Sequence, residues 1–197
     1  RLFASDMDGT ILQDHSTIHP DNIKMVHYLQ EKNIPFVICS GRDFYQASLC
    51  LEPANIQCPV IGLNGAVIYQ EDGTIIKEVT LSHEDTRNLV QKIELHHNNW
   101  DIMTSKGLFS LHFKEKFAKK VATFKENHPE LTPEEFEAEL DKLKKLFDAT
   151  DVSNIEEVLD DPTIKIYKVL TSNYEAEDSL MEIKSYVEQE IPNLVVT

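Results

Sequence analysis

The chain has 197 residues, 41% of them hydrophobic and 27% charged, and its 34 acidic side chains against 19 basic ones give a formal net charge of -15 at pH 7. This length suits one large domain or two small ones, and the hydrophobic share is sufficient for a packed core, which excludes wholesale disorder. The acidity argues against electrostatic binding to nucleic acid or to an anionic membrane, because both require a surplus of Lys and Arg.

Cysteine usage and the absence of targeting patterns indicate the compartment. No apolar run approaches the roughly 20 residues of a membrane span, and no signal peptide opens the sequence. Cys39, Cys50 and Cys58 form no C-x-x-C pair, so the sequence predicts neither a disulfide framework nor a zinc site. We therefore expect a cytoplasmic protein without nucleic-acid or membrane partners, and no pattern indicates its oligomeric state.

The first 80 residues alternate predicted strands and helices. A continuous apolar run such as 35–39 is typical of a strand buried on both faces of a parallel sheet. The whole series predicts a doubly wound α/β layout. In chain order it comprises a strand at 1–6, a helix at 19–33, a strand at 35–39, a helix at 43–51, a strand at 59–63 and a hairpin of 66–70 with 74–79 around Asp72-Gly73.

After about Leu81 the predicted helices become longer and more charged. Thr132 has the position of a helix cap, followed by Pro133 and by Glu135, which completes a capping box. The basic run of lysines from 114 to 125 indicates a solvated face. The other predicted elements are a helix at 83–98, strands at 102–103 and 108–113, an apolar stripe of Phe136, Leu140, Leu143 and Phe147, a strand at 164–171, a helix at 176–190 stopped by Pro192, and a strand that starts at 194.

Polar side chains follow each of the first three predicted strands. Asp6 and Asp8 come after the first, where one carboxylate suits a nucleophile or metal ligand and the other a general acid–base. Gly9, which directly follows Asp8, permits a turn that a side chain would obstruct. A D-x-D pair by itself is also typical of a solvated acidic turn.

The second and third strand ends carry Ser40-Gly41-Arg42 and Asn64-Gly65-Ala66. A hydroxyl and a guanidinium suit a phosphoryl group. Each segment alone also has a structural explanation: Ser40 as a helix N-cap beside a surface Arg42, and Asn64 in a tight turn before the hairpin. Open α/β sheets bind ligands at the carboxyl ends of their strands, so three such ends together favour a phosphate site.

The segments Asp6-Met7-Asp8-Gly9-Thr10-Ile11-Leu12, Ser40-Gly41-Arg42 and Asn64-Gly65-Ala66-Val67-Ile68 resemble the motifs of the haloacid dehalogenase-like superfamily. More narrowly, they are similar to its Cof-type sugar-phosphatase branch. The resemblance implies an α/β fold with a partial Rossmann-like core of parallel strands at 1–81. It also implies an inserted α/β cap of the C2 type at 82–197, which would hang over the edge that carries the motifs.

The resemblance also implies roles for single residues. Asp6 would attack phosphorus and carry an aspartyl-phosphate, and Asp8 would protonate the leaving alcohol and then activate water. The Asp6 carboxylate and the Asp8 backbone carbonyl would bind Mg²⁺, and the substrate would be a sugar phosphate or another small phosphorylated metabolite. The remaining motif residues would hold the phosphate and border the substrate: Thr10, Ser40, Gly41, Arg42 and Asn64.

Two further motifs of the family, a Lys and an acidic G-D-x-x-N-D segment, follow the cap and do not occur in this sequence. Asp160-Asp161 indicates a turn, and Lys165 and Lys168 lie in a predicted cap strand. We therefore interpret the chain as a segment of a longer polypeptide, inactive on its own. Two alternatives stay open: a truncated, non-catalytic phosphate-binding module, and a phosphomutase that uses the same nucleophile.

Overall fold

The chain divides into two compact units, Arg1–Val79 and Thr80–Thr197. The computed structural model used throughout describes residues 1–14, 16–146, 148–172, 177–191 and 194–196. Each unit has one sheet with helices, so both are α/β structures. In the described part of the chain, no helix has the length and apolar character needed to cross a membrane.

The first unit is built on a five-stranded sheet whose spatial order follows the chain. β1 pairs with β2 and β2 with β3 in parallel, whereas β4 and β5 continue the sheet in antiparallel pairs. The predicted parallel layout and the hairpin are therefore confirmed. The strands are β1 (Phe3–Ser5), β2 (Phe36–Cys39), β3 (Val60–Gly62), β4 (Val67–Tyr69) and β5 (Ile75–Glu78).

Two helices connect the parallel strands, α1 (Pro20–Glu31) and α2 (Phe44–Leu51). α1 begins with Pro20, which confirms the predicted start of a helix near residue 19. The side chain of His19 accepts a hydrogen bond from the Asp21 N–H. α2 has a capping box between Asp43 and Gln46. The structural explanation of Ser40 as a helix cap was therefore wrong, because the helix begins at Phe44 and its cap is Asp43.

The second unit has a four-stranded sheet in the order β8-β7-β6-β9. β6 pairs antiparallel with both β7 and β9, and β8 joins β7 in parallel. Its strands are β6 (Asn99–Thr104), β7 (Gly107–Leu111), β8 (Ala149–Val152) and β9 (Ile166–Ser172). Its helices are α3 (His83–Leu95), α4 (Phe113–Asn127), α5 (Pro133–Leu146), α6 (Glu156–Leu159) and α7 (Glu177–Glu190).

The core of the second unit forms around one face of its sheet. Trp100 is 1% exposed and donates its indole N–H to the Glu94 carboxylate at 2.8 Å, which satisfies the single polar group of the ring. Residues from α3, α6, α7 and the strands form one buried cluster with it. They include Leu89, Val90, Ile93, Ile102, Val158, Ile166, Ile183 and Val187.

Several predictions for the second unit were wrong or incomplete. The strand predicted to run to Phe113 ends at Leu111, because His112 has a left-handed φ of 51° and turns the chain into α4. α4, β8 and α6 were not predicted. Leu194 to Val196 belong to no strand, and the Leu194 N–H donates to the Ile191 carbonyl at 2.9 Å. Phe147, Ala176, Pro192 and Thr197, named in the predictions above, lie outside the described residues.

β1 forms one edge of the first sheet, and both Phe3 and Ala4 are exposed there. An exposed strand edge is a template for pairing with another chain. We therefore expect the isolated chain to self-associate with rising concentration, as measured by light scattering after size exclusion. Ala4→Lys places a charge in the middle of this edge and should shift the chain towards monomer.

Leu95→Lys is the matched control, because Leu95 is 75% exposed but lies at the end of α3 and not on a strand. Association that responds equally to both substitutions, or a wild-type chain that is monomeric throughout, would contradict the role of the β1 edge.

Candidate active site

The first strand leads into a tight turn over Met7–Ile11 that presents two carboxylates. The Asp6 carboxylate accepts the Met7 N–H at 2.7 Å, and the Leu12 N–H closes the turn on the Met7 carbonyl at 3.0 Å. Gly9 has a φ of +72°, which L side chains rarely adopt, but a Cβ at this position would meet no atom within 4 Å. Gly9 is thus required for its backbone conformation and not for space, and the predicted glycine-dependent turn is confirmed.

Asp8 is joined to Arg42 by a bidentate ion pair. The Arg42 Nε donates to Asp8 Oδ2 at 2.9 Å and Nη2 donates to Oδ1 at 2.7 Å. The third guanidinium nitrogen, Nη1, donates to Cys50 Sγ at 3.3 Å. The side chain of Arg42 is 13% exposed and that of Asp8 is 41% exposed, so the arginine lies under the carboxylate that it holds. Arg42 is therefore no ordinary surface arginine.

The electrostatics of this group follow from the pairing and from burial. The hydrogen bonding of the Arg42 guanidinium to the Asp8 carboxylate is the main reason why the pKa of Arg42 is raised. Burial raises the pKa of the Cys50 thiol, although the neighbouring guanidinium acts in the opposite direction. Arg42 therefore remains a fixed cation and Cys50 a neutral sulfur beside it.

Ser40 connects the second strand end to the third. Its side chain is buried, and its Oγ accepts the Arg42 N–H at 3.2 Å. Its N–H donates to the Ile61 carbonyl at 2.9 Å, and its carbonyl accepts the Asn64 N–H at 3.1 Å. The Ser40 hydroxyl can still donate its own hydrogen to an anion at this edge.

The third strand end closes against the backbone of Arg42. The Leu63 N–H donates to the Arg42 carbonyl at 2.9 Å. A Cβ on Gly62 would lie 2.8 Å from the same carbonyl oxygen, so only glycine permits this approach. The next three residues, Leu63, Asn64 and Gly65, all have φ between 52° and 96°, a run of left-handed backbone that is costly for leucine.

The structure thus brings the three predicted strand ends together at one edge of one sheet. Thr10, Gly41 and Asn64 are exposed beside these contacts. Two residues of the network were not predicted from the sequence, Gly62 and Cys50. A glycine at the end of an apolar strand was a signal for Gly62, whereas no sequence pattern relates Cys50 to Arg42.

The described residues at this edge of the sheet provide few ligands for a metal ion. Among the described residues, no group of three or more His, Cys, Asp or Glu side chains is arranged to hold one. The Asp6 carboxylate and the Asp8 carbonyl are oxygen donors, the type that Mg²⁺ prefers, and the ion commonly keeps several waters. The donors present therefore fit Mg²⁺ in kind and supply only part of its coordination.

Other candidate groups in the second unit have structural roles. Asp161 accepts hydrogen bonds from Lys106 and from Thr163, and these lower the pKa of its carboxyl group. The bond from the Thr163 N–H confirms the predicted turn. Lys168 lies in β9, where burial lowers the pKa of its amine. His96 and His97 follow α3, and His96 lies 3.5 Å from Glu182.

Comparison with known proteins agrees with this fold. The sequence profile of the haloacid dehalogenase-like hydrolase family matches residues 3–195. The 5-amino-6-(5-phospho-D-ribitylamino)uracil phosphatase YwtE of Bacillus subtilis is 24% identical over 186 residues, which are 93% of this chain and 63% of YwtE. With several other curated relatives, the match covers half of their length or less.

Solved structures show the same architecture. A haloacid dehalogenase-like hydrolase from Bacillus subtilis superimposes with a TM-score of 0.76 at 21% identity, over 96% of this chain and 67% of that one. The subclass IIB sugar phosphatase BT4131 superimposes with a TM-score of 0.62 at 16% identity, over 95% and 63% of the two chains. Because the family profile spans nearly all of the sequence and the fold agrees, the chain belongs to the haloacid dehalogenase-like hydrolase family.

Proposed function

We propose that the chain carries the nucleophile and the general acid–base of a phosphomonoester phosphatase of the Cof type. One observation carries the proposal: Asp8, Arg42, Ser40 and Asn64, which come from three separate strand ends, form one continuous network beside Asp6. An acidic pair next to a fixed cation and hydrogen-bond donors suits an anionic phosphate. The phosphatase names of the relatives support the same activity.

In the proposed reaction, an oxygen of the Asp6 carboxylate attacks phosphorus. The bond from phosphorus to the ester oxygen breaks, and the leaving alkoxide takes a proton from Asp8, which gives an alcohol and an aspartyl-phosphate. Water then attacks phosphorus while Asp8 accepts its proton. The acyl-phosphate bond breaks, inorganic phosphate leaves, and both carboxyl groups return to their starting states.

Repulsion between the attacking carboxylate and the phosphate must be reduced for this reaction to proceed. Mg²⁺ would supply this electrostatic screening when bound, and the Asp6 carboxylate and the Asp8 carbonyl are the groups that would hold it. The Ser40 hydroxyl and the exposed Thr10 and Asn64 would hold the phosphoryl oxygens, with Gly41 at the border of the substrate.

We propose a small phosphorylated metabolite, in particular a phosphorylated sugar or sugar alcohol, as the substrate. YwtE is a phosphatase of 5-amino-6-(5-phospho-D-ribitylamino)uracil, which contains a phosphoribityl group, and BT4131 is a sugar phosphatase. The net charge of -15 argues against nucleic-acid substrates. We propose further that the second unit is the cap that selects the substrate, and that the protein is cytoplasmic.

Asp6→Asn should abolish phosphate release from p-nitrophenyl phosphate by the complete gene product, because an amide is a poor nucleophile. The matched control is Asp21→Asn, which neutralises an exposed carboxylate on α1 and should leave turnover unchanged. Near wild-type turnover by Asp6→Asn would exclude the aspartyl-phosphate intermediate. Release of inorganic phosphate, as opposed to its transfer to a second sugar hydroxyl, separates a phosphatase from a phosphomutase.

Asp8→Asn should lower kcat for a sugar phosphate by at least about 100-fold, because the amide neither protonates the leaving alcohol nor activates water. The measurement is steady-state phosphate release with folding checked by circular dichroism. A folded variant that keeps most of its kcat would assign the acid–base role to another residue.

Mg²⁺ should bind the 197-residue chain only weakly, with a dissociation constant in the millimolar range, because the site offers few protein oxygens. Isothermal titration of the purified chain tests this directly. Asp6→Asn should remove the residual binding, whereas Asp21→Asn should not. Tight binding that persists in Asp6→Asn would place the metal elsewhere in the chain.

A further inference from the structure

The guanidinium of Arg42 is already committed to Asp8. Nε and Nη2 donate to the two carboxylate oxygens, and Nη1 donates to the Cys50 sulfur. The side chain is 13% exposed, and an arginine that recognises a phosphate in bidentate fashion turns its paired nitrogens towards that ligand. Here those paired nitrogens face a carboxylate of the protein itself.

The backbone of Arg42 is also fixed by hydrogen bonds, like its guanidinium. Its carbonyl accepts the Leu63 N–H, its N–H donates to the Ser40 Oγ, and Asp43, the next residue, caps α2. Gly62 is required so that β3 can approach the Arg42 carbonyl. The guanidinium is therefore fixed at its base and at Nη1, and the carboxylate of Asp8 takes its orientation from it.

Asp8 belongs to the short segment that follows β1. It lies in an exposed turn with an extended ψ of 126°, directly before Gly9. An acid–base group must lie within hydrogen-bond reach of the oxygen that it serves, and a misplacement of 1 Å can cost about 100-fold in rate. A bidentate grip on both carboxylate oxygens restricts rotation of the side chain in a way that a single contact does not.

We infer that Arg42 is a positioning residue that fixes the acid–base carboxylate of Asp8, and that it is not itself a ligand of the substrate phosphate. This inference rests on the proposed function, and it replaces the expectation that Arg42 borders the substrate. Arg42 acts through Asp8, so its contribution to the rate disappears when Asp8 does.

A double-mutant cycle on kcat in the complete gene product tests the inference. Arg42→Ala should lower kcat for a sugar phosphate by about 10- to 100-fold while KM changes by less than about threefold. In an Asp8→Asn background, the same substitution should change kcat by less than about twofold, because coupled residues are not additive. Arg42→Lys keeps the charge without the paired nitrogens and should restore little of kcat.

Two further measurements cover the case in which the Asp8→Asn background is too slow to quantify. Arg42→Ala should slow hydrolysis of an alkyl phosphate more than hydrolysis of p-nitrophenyl phosphate, whose phenolate leaves without a proton donor. Inhibition by inorganic phosphate should keep its wild-type constant, because the phosphate does not contact Arg42. A merely structural loss would slow both substrates equally.

Arg87→Ala is the matched control. Arg87 in α3 holds Glu156 with two hydrogen bonds of 2.8 Å, the same geometry as the Arg42 pair but in the other unit. Arg87→Ala should leave unchanged kcat, the ratio of the rates for alkyl and p-nitrophenyl phosphate, and the phosphate inhibition constant. The fall in its melting temperature shows how much stability is lost with one such ion pair, for comparison with Arg42→Ala.

Two outcomes separate the inference from the proposed function. Suppose that the wild type is active but Arg42→Ala raises KM and the phosphate inhibition constant, or lowers kcat in the Asp8→Asn background by the same factor as in the wild type. This result overturns the inference alone and makes Arg42 a substrate ligand. A wild type that releases no phosphate from any ester overturns the proposed function and the inference with it.

Discussion

Parallel pairing of β1, β2 and β3 is the constraint on which the site depends. The strands have only three or four residues each, and their carboxyl ends meet at one edge because all three run in the same direction. Asp8 and Arg42 are 34 residues apart in the sequence, and the pairing of β1 with β2 brings them close enough to form their ion pair. A shift of one residue in the register between β1 and β2 would turn the strand side chains to the opposite face of the sheet. It would also move Asp8 away from Arg42.

The same edge concentrates opposite charges in a small space. Two carboxylates at this position would repel a phosphate, and the ion pair with Arg42 neutralises one of them before any ligand arrives. Burial of the guanidinium strengthens the pairing, and Cys50 supplies a soft, neutral neighbour that competes weakly for its hydrogens. The site therefore combines one carboxylate that is held with one that is open to the solvent.

Local patterns in the sequence predicted the fold better than they predicted the contacts. The capping box of Thr132 and Glu135 is confirmed by hydrogen bonds in both directions, because such a motif involves only four consecutive residues. α4 was not predicted, although Phe117, Val121 and Phe124 recur at helical spacing, because the lysines of this stretch were interpreted only as a solvated face and Phe113 was assigned to the preceding strand.

The candidate site shows the same division between local and distant interactions. The three strand ends could be predicted because each is a short motif after an apolar run. The explanation of Ser40 as a helix cap was wrong because Asp43 caps α2, which agrees with the helix predicted at 43–51. The contact between Arg42 and Cys50 depends on how α2 packs on the sheet, which no local pattern encodes.

The spacing of strands along the chain has a consequence for synthesis. All five strands of the first sheet lie within the first 78 residues, and each pairs with the next one in the sequence. In the second sheet, β6 cannot pair with β9 until a further 72 residues have been synthesised, because Thr171 donates a hydrogen bond to Asn99 over that separation. Contacts of long separation form slowly, and domains fold as units during translation. The edge that carries Asp6 can thus assemble on the ribosome before the second sheet has all of its strands.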